Sequence, residues 1–153
     1  MFQNKKVFDH DVARDVIRKY CSYQERCQSE VKVRLMKMGL PESSFNEIIS
    51  MLISEGYLSE ERYSRSFSRG KFKIKKWGRL KIKRSLIAKG ISNRCIEIGI
   101  SEIDENDYSE TLSDLIFRYN ARDSSKNKYQ LVRYFYNKGF ERDLIFQILQ
   151  ENE

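Results

Sequence analysis

The sequence predicts an all-α protein made of three tandem repeats of a three-helix, helix-turn-helix-like unit. Pro41 is the only proline and glycine occurs 7 times in 153 residues, too few breakers for a turn-rich sheet protein. Lys, Arg, Glu, Leu and Ile are abundant, which favours helices. Apolar positions also recur around Gly39, Gly90 and Gly139, which lie 51 and 49 residues apart.

The repeat can be followed position by position. Four residues before the glycines stand Leu35, Leu86 and Phe135, and eight before stand Val31, Ile82 and Leu131. Directly after them come Leu40, Ile91 and Phe140, then Phe45, Ile96 and Ile145, then Ile49, Ile100 and Leu149. Upstream, Val12, Tyr63 and Leu112 correspond, as do Val16, Phe67 and Ile116. One slot breaks the pattern: Gly99 stands where the other copies have Ile48 and Ile148. Spacings of four and eight place the apolar residues on one helix face.

The first helix of each unit is expected over Asp9–Tyr23, Glu60–Lys75 and Asp107–Tyr119. The second is expected over Ser29–Met38, Gly78–Lys89 and Asn127–Lys138, and the third over Glu42–Ser54, Asn93–Glu102 and Arg142–Glu151. Each anchoring glycine suits the left-handed position that ends a helix, and Pro41 reinforces the first stop. Ser59 and the acids of 104–107 suit helix starts, where side-chain oxygens and negative charge are favourable. Tyr63, Phe67 and Gly70 are expected to face inward, with Arg62, Arg65, Arg69 and Lys73 on another face. Phe72 and Ile74 also alternate with lysines as a strand would, but nothing nearby offers a partner strand. The units divide at 1–58, 59–106 and 107–153. A triplet this short cannot bury its apolar face alone, so adjacent copies should stack into an elongated molecule that can curve.

Charge is concentrated in the middle unit. Arg62–Ile96 holds 13 Lys or Arg and no acid, while the whole chain carries only +7, so the remainder sums to −6. Such a run is often a solvated face. Here it is one-signed and interleaved with Phe67, Phe72, Ile74, Trp77, Leu80 and Ile82, which suits a polyanion or partner surface.

Several function classes are disfavoured. No apolar run approaches the roughly 20 residues of a spanning helix, and the N-terminus lacks the pattern of a secretory signal. Cys21, Cys27 and Cys95 are odd in number and sparse, which suits small buried side chains in a reducing, cytoplasmic setting. The sole histidine, His10, has no evident catalytic or metal partners. No glycine-rich phosphate loop occurs. The acid pairs Asp9/Asp11 and Glu60/Glu61 are sufficiently explained as capping groups. Neither an enzyme nor a cofactor is expected, and with no sustained surface heptad a monomer is.

The middle unit contains the run GRLKIKRSLIAKGI (78–91), preceded by Glu61-Arg-Tyr63, Arg69-Gly-Lys-Phe72 and Lys75-Lys-Trp77. In these residues it resembles the RecX family of recombinase regulators. The first unit adds Arg26-Cys-Gln-Ser-Glu-Val31 and Gly56-Tyr-Leu58, and the third adds Tyr134-Phe-Tyr-Asn-Lys-Gly-Phe140. Ser85 departs from the family, which usually carries an acid there. The resemblance implies a helical regulator that binds RecA, typically its filament on single-stranded DNA, and inhibits strand exchange and ATP hydrolysis.

On that reading Arg65, Arg69, Lys71, Lys73, Lys75, Lys76, Arg79, Lys81, Lys83 and Arg84 meet DNA phosphate or acidic RecA side chains. Trp77 either stacks on a base or closes the core of the middle unit. DNA binding alone should be weak and salt-dependent. The alternative is a free-standing helix-turn-helix-like DNA-binding protein that inserts 78–89 into a groove.

Overall fold

The computed structural model describes residues 9–122, 125 and 127–152, so the first eight residues of the first repeat lie outside the described part. The described residues form helices without strands. The first triplet is α1 (His10–Tyr23), α2 (Gln28–Lys37) and α3 (Phe45–Ser54), with a 3₁₀ turn at Glu42–Ser44 leading into α3. The second is α4 (Glu60–Lys73), α5 (Arg79–Ala88) and α6 (Asn93–Ile100). The third is α7 (Glu105–Arg122), α8 (Lys128–Asn137) and α9 (Arg142–Glu151).

The helix ends follow from local chemistry. Gly39, Gly90 and Gly139 adopt φ of 86°, 80° and 104°, the left-handed conformation that costs glycine least. The next N–H then donates back into the last turn: Leu40 to Leu35 O, Ile91 to Leu86 O and Phe140 to Phe135 O. Ser59 Oγ accepts from the Arg62 N–H at 3.2 Å, and Asp104 Oδ2 accepts from the Asp107 N–H at 3.0 Å. Asp9 and Ser92 cap α1 and α6 in the same way. Helix α4 continues through Lys73, so the strand-like alternation at 71–75 is not realised.

The core falls into two clusters. Ala13, Ile17, Val31, Leu35, Phe45 and Leu52 belong to one, confined to the first triplet. The other runs without a break from Cys27 of the first triplet through the second and third, to Ile145 and Ile148. At its centre the Tyr108 ring lies between Phe72 and Phe140, with centroids 5.7 and 5.2 Å away. Stacking is thus unequal, with the second and third triplets merged and the first reaching their core through Cys27 and a set of polar contacts.

Two glycines explain how the helices approach. A Cβ on Gly99 would lie 2.6 Å from the Ser64 carbonyl oxygen, so the isoleucine of the other copies cannot fit there. Ser64 and Ser68 are fully buried on α4, and together with Gly99 they let α4 and α6 pack unusually close. Gly78 meets the turn between α8 and α9. Its N–H donates to Lys138 O at 2.8 Å, and the Leu80 N–H donates to Gly139 O at 2.9 Å. A Cβ on Gly78 would sit 2.2 Å from the Gly139 carbonyl carbon.

Two expectations about faces need correction. The inward face of α4 is Tyr63, Ser64, Ser68 and Phe72, whereas a Cβ on Gly70 would meet nothing within 4 Å. The close α4–α6 approach turns the serines inward and leaves Gly70 beside open space. Val12 is 44% exposed, although its counterparts Tyr63 and Leu112 are buried. Tyr63 packs against the preceding triplet, and among the described residues α1 has no such predecessor.

These contacts set an order of stability. Gly78→Ala should cost about 3 kcal/mol or more, because backbone must move against backbone. Gly90→Ala, facing open space, should cost only about 1 kcal/mol of left-handed strain. Urea unfolding of both variants checks this; equal losses would contradict it.

Candidate functional site

The structure divides the basic residues singled out by sequence into two groups. Arg65, Arg69, Arg79 and Lys83 are engaged internally. Glu102, just beyond the end of α6, accepts from Arg65 and Arg69 at 2.6 Å each. Those hydrogen bonds, from Arg69 and then Arg65, hold its carboxyl below the usual carboxylate range. Lys83 pairs with Glu97 at 3.5 Å.

Arg79 is the most embedded of the four. Its guanidinium reaches Glu141 at 2.9 Å and Glu105 at 3.0 Å and lies 4.0 Å from the centroid of the Tyr108 ring. Its backbone N–H donates to the Tyr108 hydroxyl, which donates in turn to Glu141 at 2.6 Å. Burial, followed by that hydrogen bond, raises the pKa of the Tyr108 hydroxyl. Arg79 therefore ties the second triplet to the third, and it does so with its charge already neutralised.

Lys73, Lys75, Lys76 and Arg84 have no acidic partner among the described residues, and all four are exposed. Lys71 and Lys81 instead place their ammonium groups 4.8 and 4.4 Å from the centroid of the Trp77 ring. Trp77 is half-buried: it packs on the shared core and meets Phe67 edge-to-face at 6.5 Å. It thus packs on the core from one side, as one of the two expectations had it, and carries two ammonium groups on the other.

These residues border a groove of about 570 Å³ between the first and second triplets. Tyr63, Phe67 and Trp77 line it together with Lys71 and Lys75, while Glu25 and Glu30 come from the opposite wall. Gly70 leaves its flank open, and Ile74 at its edge is 78% exposed. Glu30 fixes the inner end: it accepts from the Cys27 N–H at 3.1 Å, from the Tyr63 hydroxyl at 3.2 Å and from Lys89 at 3.3 Å. Burial first, then the Glu30 charge, raises the pKa of the Tyr63 hydroxyl. The groove is polarised, acidic on the wall from the first triplet and cationic on the other.

Sequence reasoning missed Glu30, Lys89 and Ile74 as groove residues. Ile74 carried a signal in its strand-like alternation, but α4 stops one residue before it, and that exposes the side chain. Glu30 and Lys89 lie 59 positions apart, beyond any local pattern. Burial pushes the Cys21 thiol up to about 11, consistent with an unreactive packing residue. No cluster of metal-ligating side chains occurs among the described residues, and none of their helices is long and apolar enough to cross a membrane.

Lys76 is the one described non-glycine residue with positive φ, at 58°. The left-handed conformation costs about 1–2 kcal/mol in an ordinary residue. Lys76→Gly should therefore raise stability by roughly 1 kcal/mol while removing a surface cation. Thermal unfolding reads this; a destabilised variant would mean that the lysine side chain contributes to the fold.

Residues 59–99 match the family model described as RecX, second three-helix domain. The chain is 34% identical over 128 residues to the Regulatory protein RecX of Streptococcus uberis, covering 82% of this chain and 50% of that protein. It is 26% identical over 136 residues to that of Bacillus mycoides, covering 86% of this chain and again 50% of the relative. The chain thus spans about half the length of the curated relatives it matches. The crystal structure of RecX from Lactobacillus salivarius superposes with a TM-score of 0.81 at 26% identity, over 92% of this chain and 94% of that one. Sequence and fold agree, and the chain belongs to the RecX family.

Proposed function

We propose that this chain binds the RecA filament on single-stranded DNA and lowers its recombinase and ATPase activities, acting as a regulator and not as a catalyst. The observation that carries this reading is the surface of Lys73, Lys75, Lys76 and Arg84, exposed and without acidic partners among the described residues, beside Trp77 and its two flanking lysines. Unpaired cations attract polyanions over a distance, and an aromatic ring among them suits contact with bases of any sequence. The family resemblance supplies RecA as the partner.

Division of the chain at 58/59 and 106/107 into three repeats belongs to the same reading, with the middle repeat presenting the contact surface. Arg65, Arg69, Arg79 and Lys83 support that surface, and Lys71, Lys73, Lys75, Lys76, Lys81 and Arg84 make the contacts. The helix-turn-helix alternative is less favoured by the packing of α5. A recognition helix reads bases with its N-terminal residues, whereas this end of α5 lies against the α8–α9 turn and Ile82 and Leu86 are buried.

The test is ATP hydrolysis by the cognate RecA on single-stranded DNA, titrated with this protein at moderate salt. Wild type should suppress hydrolysis well below one copy per RecA. Changing Lys73, Lys75, Lys76 and Arg84 to Ala should raise the concentration needed by about tenfold or more, since each lost phosphate contact weakens binding. No suppression by folded wild-type protein would overturn the recombinase reading.

A further inference from the structure

We propose that the third triplet carries a second contact site for single-stranded nucleic acid, formed by Arg118 and Arg122 of α7 with Tyr134 and Lys138 at the end of α8. The inference rests on the functional reading above for the identity of the polyanion, and it adds a binding surface outside the middle triplet. Sequence arithmetic hides this surface, because the chain outside 62–96 is acidic in sum. Yet Arg118–Lys138 contains six Lys or Arg against a single Asp, with Tyr119, Tyr129, Tyr134, Phe135 and Tyr136 among them.

The fold gathers part of this set around one cavity of about 240 Å³. Arg118 and Arg122, one helical turn apart, stand on one side, while Tyr134 and Lys138 stand on the other. The Tyr119 and Tyr134 rings have centroids 5.1 Å apart, and the Lys138 ammonium is 5.9 Å from the centroid of the Tyr134 ring. Tyr134 is 46% exposed, so its ring is open to a ligand. Neither arginine has an acidic partner among the described residues. A cation at the end of a helix also interacts favourably with its dipole, which would account for Arg122 of α7 and for Lys138 at the end of α8. It leaves Arg118 and the exposed ring unexplained.

The ligand class follows from this chemistry. The cavity is smaller than the roughly 300–1,000 Å³ of small-molecule sites, too small to enclose a cofactor. Three cations beside an exposed aromatic ring match a phosphate backbone with an accessible base, and duplex DNA keeps its bases stacked away from such a ring. Continuity with the first surface points the same way. Lys138 O accepts from the Gly78 N–H, and Gly78 directly follows Trp77. Lys81, whose ammonium lies over Trp77, places its Cβ against Gly139, directly after Lys138. The two basic-aromatic surfaces therefore meet at the Gly78–Gly139 contact, and one strand can run from one to the other.

The experiment measures binding of a fluorescent oligo-dT to the full chain, without RecA, across a salt series. Arg118→Ala/Arg122→Ala is compared with Lys19→Ala/Lys32→Ala, which removes the same charge from the first triplet. The patch variant should bind several-fold more weakly than the control, and its log K against log salt should flatten by about 1.4, or about 0.7 for each lost phosphate contact. Tyr134→Ala should weaken binding several-fold with the slope unchanged. Far-ultraviolet circular dichroism confirms that each variant is folded. Patch and control variants with equal affinity and slope would overturn the proposal. So would a patch variant that keeps oligo-dT binding but no longer suppresses RecA ATPase, because the patch would then face protein. A wild type inert toward RecA, with oligo-dT binding lost in the patch variant, would support this site and overturn only the recombinase reading.

Discussion

The contact between Gly78 and Gly139 is the constraint on which much of this structure depends. Two main-chain hydrogen bonds join the start of α5 to the α8–α9 turn, at a separation that leaves no room for a side chain. Because backbone meets backbone, the register between the second and third triplets has little freedom. Arg79 then fills the space beside the lock, bonded to Glu105 and Glu141 and lying over Tyr108. The aromatic run from Phe72 through Tyr108 to Phe140 makes one core of the two triplets. Trp77, immediately before Gly78, is fixed in place by the same contact.

The first triplet is attached differently. It has its own apolar core, and much of its junction with α4 and α5 is polar: Glu30 with Tyr63 and Lys89, Glu25 with Arg62, and Glu60 with the Gln28 N–H. Of these, Glu25–Arg62 is an exposed ion pair that contributes little to stability, whereas the bonds of Glu30 and Glu60 are partly buried. The groove lies along this junction, so one wall belongs to the merged pair of triplets and the other to the first triplet. An acidic wall facing a cationic one gives a bound polyanion a single favourable side.

Much of the architecture was legible in the sequence, because it rests on short-range periodicity. Leucine and phenylalanine four residues before each glycine, and an apolar residue after it, are what a glycine-terminated helix requires. Helices α2, α5 and α8 accordingly fall within a residue of expectation at each end. The Gly99 anomaly was visible without its meaning, since its explanation is the backbone of Ser64 on another helix. The candidate site was legible only as a charge total. Whether a given cation is spent inside the molecule depends on Glu102, Glu105 and Glu141, which lie outside the basic stretch and come to it only through folding. The same summation hid Arg118 and Arg122, because acids elsewhere in the third triplet cancel them on paper and not in space.

In the proposed function, the lysines around Trp77, held by the merged second and third triplets, meet the filament. Amine-acetylation footprinting of the protein alone and on a RecA filament with single-stranded DNA, read by mass spectrometry, tests this. Lys71, Lys73, Lys75, Lys76 and Lys81 should be protected, with Lys19 and Lys32 of the first triplet labelled as before. Protection confined to the first triplet, with the lysines around Trp77 fully labelled, would contradict it.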